Sequence, residues 1–591
     1  FNNDIKITLV EGLTLENNFA YQYFMRDNID LNEPFYSPAN GDGGVVTRSR
    51  AETKNYTIRT GFRYTKTFGN LNLNALLTHV ATEYEYNFLS AQRSKLVTPF
   101  GPDIRNGIIN EPSDGLTRND KTESYIANVN LDFSNKYIIN LAFNRDASSK
   151  FLDNPWGNFY SVGAAWVLSQ EDFLSNSSFI DFLKFKASYG VLGNSGYLRG
   201  GANYYYPGYT RFDVNNVNDN ISLRYSTTAG APNLTWENSN QTNLGLECEL
   251  GGFVDGSVEV YRKTTTDMFF NRSAGPSNAF DTFPVNDGEM WNSGLEFDLD
   301  FKLVQNDKFS LNFGINGALL DNELVRMPID PSTGELQVID TSGRFGRAEG
   351  RSLYDYYMPA YAGVNPATGA AMWERSFNDV DGNGVFGTGD ESILNLTDYM
   401  AKNPNATIVQ DITEVYAEAT DKFVNKTAIP DISGSFRLNA RYGGFSLSTL
   451  FNYALGGYGY DSAYASLMDN DLAGTNNFHV DIRDRWKAPG DVTNIPRQDS
   501  RTQLQQNSTS TRFLTKLDHL ALSNVRLGFD LPRDITKQIG LTKLDFFVTA
   551  DNLALFSKRQ GFNPSTSVTG SSSVYNFSPL TTIVLGVNIN L

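Results

Sequence analysis

Residues 125–133 read YIANVNLDF, and a second stretch of the same kind, YIINLAF, starts at residue 137 after the turn at Asn135-Lys136. Tyr125, Ala127, Val129, Leu131 and Phe133 share one parity, while Ile126, Asn128, Asn130 and Asp132 take the other. A period of two sends successive side chains to opposite faces of a strand, so this stretch has one apolar face and one mainly polar face. The pattern recurs in both directions. Tyr56, Ile58, Thr60, Phe62 and Tyr64 alternate with Thr57, Arg59, Gly61 and Arg63. Phe309, Leu311, Phe313 and Ile315 interleave with Ser310, Asn312, Gly314 and Asn316, and Phe436, Leu438, Ala440 and Tyr442 with Ser435, Arg437, Asn439 and Arg441. The last such run is Ile583, Leu585, Val587, Ile589 and Leu591.

A soluble sandwich would alternate equally well, so two further features decide. The polar parity carries Asn, Arg, Ser, Gly and Asp, which suit a wet lumen. Tight turns at Asn135-Lys136, Gly251-Gly252 and Tyr442-Gly443-Gly444 also alternate with long connections around residues 81–120, 193–233, 320–430 and 457–512. Short turns at one end and long loops at the other are the pattern of an outer-membrane barrel, with the long loops outside. The expected fold is therefore all-β, a transmembrane antiparallel β-barrel of about sixteen strands. Phe19, Tyr21, Tyr23, Phe24, Phe451 and Tyr453 fall near strand ends, where aromatic girdles form. Residues 171–184 read as a short helix between strands, with Phe173, Phe179 and Phe182 packing rather than binding.

Composition agrees. A chain of 591 residues exceeds one ordinary core, yet no window approaches the ~18 consecutive apolar residues of a membrane helix. A barrel strand needs only alternate apolar residues, which fits 40% hydrophobic and 13% aromatic residues. The net charge of −17 argues against nucleic acid, which calls for a basic face. Cys248 is the only cysteine, so no intrachain disulfide forms, and it reads as a small wall residue. His79, His479 and His519 are far apart and in no metal-ligand spacing; no P-loop, G-x-S-x-G or C-x-x-C occurs, so no enzyme is expected.

Several stretches, in order, resemble the barrel of SusC/RagA-type TonB-dependent transporters. Residues 137–174 carry a strand, then Arg145, Asp146, Ser148 and Ser149 of an "RDGSSRF"-like run, then WGNFYSVGAAWVLSQEDFL. Ala147 stands where the family usually has glycine. Residues 183–196 (LKFKASYGVLGNSG), 233–250 (NLTWENSNQTNLGLECEL), 292–299 (NSGLEFDL) and 520–564 are similar to later family segments. The likeness spans residues 1–591, although Leu591 stands where such barrels usually end in an aromatic. The resemblance implies a bacterial outer-membrane location of Bacteroidota type and import of an oligosaccharide or oligopeptide. It further implies a SusD-like surface lipoprotein, and TonB-ExbB-ExbD acting through a plug and TonB box N-terminal to this chain. Against a full wall of about 22 strands, residues 1–591 are expected to be the C-terminal part of the barrel. Rival expectations are a SusC-like barrel serving as a structural subunit of a larger outer-membrane assembly, and a soluble calcium-dependent adhesin.

Within the loop region 320–430, residues 379–390 space Asp379, Asp381 and Asn383 like positions 1, 3 and 5 of an EF-hand loop. Gly384 is at position 6, the Val385 carbonyl at 7 and Asp390 at 12, shorter than the usual Glu. Ca²⁺ is the cofactor these hard oxygens would take; an Asx-rich turn without an ion is the plainer alternative. Two aromatic loop clusters could stack on substrate or seat a partner: Tyr204, Tyr205, Tyr206 and Tyr209, and Tyr354, Tyr356, Tyr357 and Tyr361. Packing within the loop explains them equally well.

Overall fold

The computed structural model describes residues 1–196, 205–217, 220–274, 278–330, 334–469, 477–498, 505–566 and 578–590. Alternation makes each wall segment extended, and neighbouring segments pair antiparallel into one sheet of eighteen strands. The first nine are β1 (Asn2–Val10), β2 (Leu13–Asn32), β3 (Val45–Phe68), β4 (Leu71–Leu96), β5 (Gly107–Asn110), β6 (Asp114–Phe133), β7 (Tyr137–Ser148), β8 (Trp156–Val167) and β9 (Ile180–Asn194). The remainder are β10 (Glu237–Leu250), β11 (Val254–Thr266), β12 (Glu289–Gln305), β13 (Phe309–Arg326), β14 (Ile432–Tyr442), β15 (Phe445–Leu455), β16 (His519–Asp530), β17 (Lys543–Ser557) and β18 (Thr582–Asn590). Each pairs with its neighbours in the chain, except that the short β5 only flanks the upper part of β4, which pairs onward with β6. The described residues thus hold two strands more than the sixteen expected.

Most connections at one end are tight turns. Gly251 and Gly252, both at positive φ (57° and 61°), close β10 to β11, and Ser134 and Asn135 adopt the same left-handed geometry between β6 and β7. At the other end stand the long connections, among them residues 195–236, 327–431 and 456–518. The segment 171–184 departs from expectation. A 3-10 turn (Leu168–Gln170) precedes β9, and Phe173 and Phe179 stay 69% and 62% exposed at the rim.

Two aromatic rows mark the membrane. Near the short turns, Tyr137 stacks with Phe133 and Trp166 at 6.5 Å each, and Glu171 accepts hydrogen bonds from the Tyr137 hydroxyl (2.7 Å) and Trp166 Nε1 (3.0 Å). Toward the long loops, Tyr21 meets Tyr56 at 4.9 Å, and Tyr125 meets His79 at 4.9 Å and Trp156 at 6.0 Å. On β8, Trp156 and Trp166 bracket ten steps, about 33 Å of strand, which a tilt of ~40° reduces to a band about 25 Å tall. Cys248 lies half-buried on the apolar face, paired with Leu183 and Gly256, as its wall reading expects.

Strands β2, β3, β4 and β6 do not stop at the upper row. They run 20, 24, 26 and 20 residues, where about 9–11 cross a bilayer. Above Tyr56 the outer face turns charged: Lys54 pairs with Glu85 (3.0 Å), Lys121 with Glu83 (2.9 Å) and Arg50 with Asp27 (2.8 Å). The long connection expected over 81–120 therefore shrinks to residues 97–113, because both β4 and β6 continue as sheet in water.

Candidate functional site

The polar faces converge on the lumen. Arg59, Arg63, Asn128, Asn130, Arg437 and Arg441 all lie on the parity opposite the apolar residues, as their strand positions require. Most charges there are matched. Arg63 pairs with Glu16 (3.1 Å), Arg441 with Asp530 (2.8 Å), and Arg437 with Asp298 (3.3 Å) and Asp300. Lys186 bridges Glu247 (3.1 Å) and Glu259 (3.0 Å) across three strands. Such a wall is wet and nearly neutral pair by pair, a surface that a polar cargo can cross without leaving an ion stranded.

Over the mouth, the two longest connections share a core. Tyr356, Met358 and Ala428 of one pack with Tyr460, Ala465, Met468 and Phe513 of the other. Tyr356 and Tyr357 are only 1% and 5% exposed, so they are not available as contact aromatics for substrate or partner. The Tyr356 hydroxyl donates to the Tyr458 carbonyl (3.0 Å) and that of Tyr357 to Asn395 (2.6 Å). Arg375, which no motif singled out, is the polar centre of the same region. It donates to both oxygens of Asp411 (2.9 and 2.5 Å) and to Glu418 (2.6 Å), and its guanidinium lies 3.8 Å over Phe386.

The second tyrosine cluster stays accessible. Tyr205 and Tyr206 are half-buried beside β4 and β6, and Tyr209 is 52% exposed; Tyr204 lies outside the described residues. The structure adds Tyr84 and Arg118, which strand periodicity left unremarked, to that neighbourhood.

In the loop 379–390, one oxygen each of Asp379, Asp381 and Asp390 lies within 4.8 Å of the others. Backbone amides hold all three in place, Asp381 through the Asn383 N–H (3.0 Å). Asp379 accepts from Gly382 (2.8 Å), Asn383 (3.2 Å) and Gly384 (2.9 Å), and Asp390 from Val380 (3.1 Å) and Gly387 (2.8 Å). Positive φ at Gly382 and Gly384 permits the tight curl. The Asn383 side chain instead donates to Asp381 (2.6 Å) and accepts from Val385 N (2.6 Å), so it would have to rotate to reach an ion. Three converging carboxylates fit a hard divalent cation such as calcium.

A membrane-spanning antiparallel sheet with a paired polar lumen and folded outer loops defines the class of outer-membrane β-barrels. Residues 1–399 match the family described as TonB dependent receptor-like, beta-barrel, and the chain belongs to that family. Its barrel is of the SusC/RagA type. It is 26% identical over 626 residues to TonB-dependent receptor P39 of Formosa agariphila, covering 99% of this chain and 58% of the relative. It is also 26% identical over 306 residues to TonB-dependent receptor SusC of Bacteroides thetaiotaomicron, covering 49% and 29% respectively. Its fold superposes on the RagAB peptide transporter with a TM-score of 0.82 at 21% identity, over 100% of this chain and 61% of that one. The chain thus spans a little under two thirds of P39 and RagAB, and its place is the outer membrane.

Proposed function

We propose that the chain supplies the wall and outer loops of a TonB-dependent importer that takes an oligosaccharide or oligopeptide into the periplasm. It acts as a conduit and performs no covalent chemistry on its cargo. Cargo is received beneath a SusD-like lipoprotein, and TonB-ExbB-ExbD drive release through a lumenal plug. The observation that carries this reading is the pairing of a continuous polar lumen face with a large folded mouth in a SusC/RagA-type barrel. In the producing bacterium, deleting the gene should abolish TonB-dependent uptake of one nutrient class, and re-expression should restore it. Unchanged uptake across glycan and peptide panels would refute import and favour a structural role.

Calcium at Asp379, Asp381 and Asp390 is the second part of the proposal. It rests on convergence of the carboxylates and on a glycine-permitted curl matching the EF-hand spacing. Titration of chelator-stripped protein should show one calcium equivalent lost in Asp379→Asn; no calcium-dependent heat would dispose of it.

A further inference from the structure

Above the upper aromatic row, the lumenal face of the tall wall carries a cluster that fold stability does not account for. Tyr84 of β4 and Arg118 of β6 face the mouth on neighbouring strands. The Tyr205 ring lies nearly parallel to Tyr84, with centroids 6.2 Å apart and planes 13° apart, and the Arg118 guanidinium sits 5.2 Å from the Tyr205 ring. The Asn119 backbone N–H donates to the Tyr206 hydroxyl (3.0 Å), fixing this segment beside β6, and Tyr209 meets Tyr206 edge-on at 6.4 Å. Arg211 follows two residues later, half-buried.

Charge is the unusual part. Among the described residues, neither Arg118 nor Arg211 has a carboxylate at ion-pair distance, whereas most lumenal arginines do. The acids near them in sequence are engaged elsewhere: Asp120 with Lys150 (3.1 Å) and Asp213 with Arg224 (3.6 Å). Burial holds the Arg211 guanidinium below its ordinary pKa; Asp213 opposes this, and the nearby positive charge of Arg118 adds to it. A half-buried guanidinium on a stacked tyrosine pair, with a second close enough to repel it and neither in an ion pair, is a setting that an anion relieves.

We propose that Arg118 and Arg211, with the faces of Tyr84 and Tyr205, form a subsite at the mouth for a carboxylate carried by the imported oligomer. A guanidinium fork engages a carboxylate through two parallel hydrogen bonds, and the tyrosine faces accept the adjoining ring or chain carbons. The carboxylate could belong to a uronic sugar or to an acidic side chain. This inference rests on the import reading above and names a preference within it.

The test is calorimetric titration of the purified full-length receptor with four probes: trigalacturonate, maltotriose, Glu-Tyr-Glu and Gln-Tyr-Gln. One acidic probe should bind about tenfold or more tightly than its neutral counterpart, and which one does so identifies the source of the carboxylate. Arg118→Gln and Arg211→Gln should each erase that preference, while Arg118→Lys retains part of it. Neither acidic probe outcompeting its neutral partner, or a preference that survives in both glutamine variants, overturns the subsite. Heat-modifiable migration in gels reports folding; should Arg118→Gln fail it, Arg211→Gln and Tyr205→Leu decide. Nutrient uptake by the deletion strain is read separately, so a barrel that imports without acid preference is distinguished from one that does not import.

Discussion

Arg375 shows how a single side chain can hold a loop together. Its guanidinium joins Asp411 and Glu418 while lying on Phe386, so removing it leaves two carboxylates facing each other without their cation. Both acids keep a third or so of their surface in water, which reduces the cost below the several kcal/mol of a sealed pair, to about 2 kcal/mol. Arg375→Met should therefore speed proteolysis within residues 327–431 while leaving the wall intact. Asp355 gives the same region a pH response. Burial raises its carboxyl above the ordinary aspartate value of 3.8, against the opposing pull of Arg351. A raised folded pKa means the added stability is fully present below the ordinary value and is lost as pH rises through the elevated one. Protease resistance of this loop should fall as pH rises above the ordinary aspartate value, and Asp355→Asn should lessen that fall. At this scale the sequence was only partly legible. Tyrosines at 204–209 and 354–361 look alike in a string of letters, but burial depends on which loop each packs against, and that is a long-range fact.

Elements were more legible where water and lipid lie on opposite sides. Between the aromatic rows, alternation separates apolar from polar cleanly, and the pairings of β3, β6, β13 and β14 follow their sequence pattern. Above the upper row both faces meet water, so Lys54, Glu52, Arg50 and Arg48 occupy the parity that lipid-facing residues hold lower down. The hydrophobic contrast disappears while the hydrogen-bonded ladder continues, which is why residues 81–120 read as loop. Wall glycines are a quieter signal. Phe159 lies across Gly193 and Gly157, so closely that a Cβ at Gly193 would fall 1.9 Å from its ring. Gly193→Val should expel that ring and lower stability by about 1–3 kcal/mol, read as a drop in the temperature of heat-modifiable migration. Gly163→Ala, where added carbon meets only ordinary contacts, should leave that temperature nearly unchanged.

For the molecule as a whole, two aromatic rows predict its depth in the bilayer. In liposomes, lipids brominated along the acyl chain should quench tryptophan fluorescence, and Trp156→Phe combined with Trp166→Phe should remove most of that quenching. Unquenched fluorescence would place both rings outside the membrane. The wall is also a strict meander: apart from the short β5, each strand bonds to the strand just before and just after it in the chain. Partners separated by compact turns meet with little loop-closure entropy, so this end of the sheet has low contact order despite its size. Growth can then proceed by adding one hairpin after another, with each new strand templated by its predecessor. The slow steps are left to the mouth, where residues 327–431 and 456–518 must find a shared core across separate hairpins. Insertion and maturation become separable events, a membrane-seated wall first and a finished entrance later.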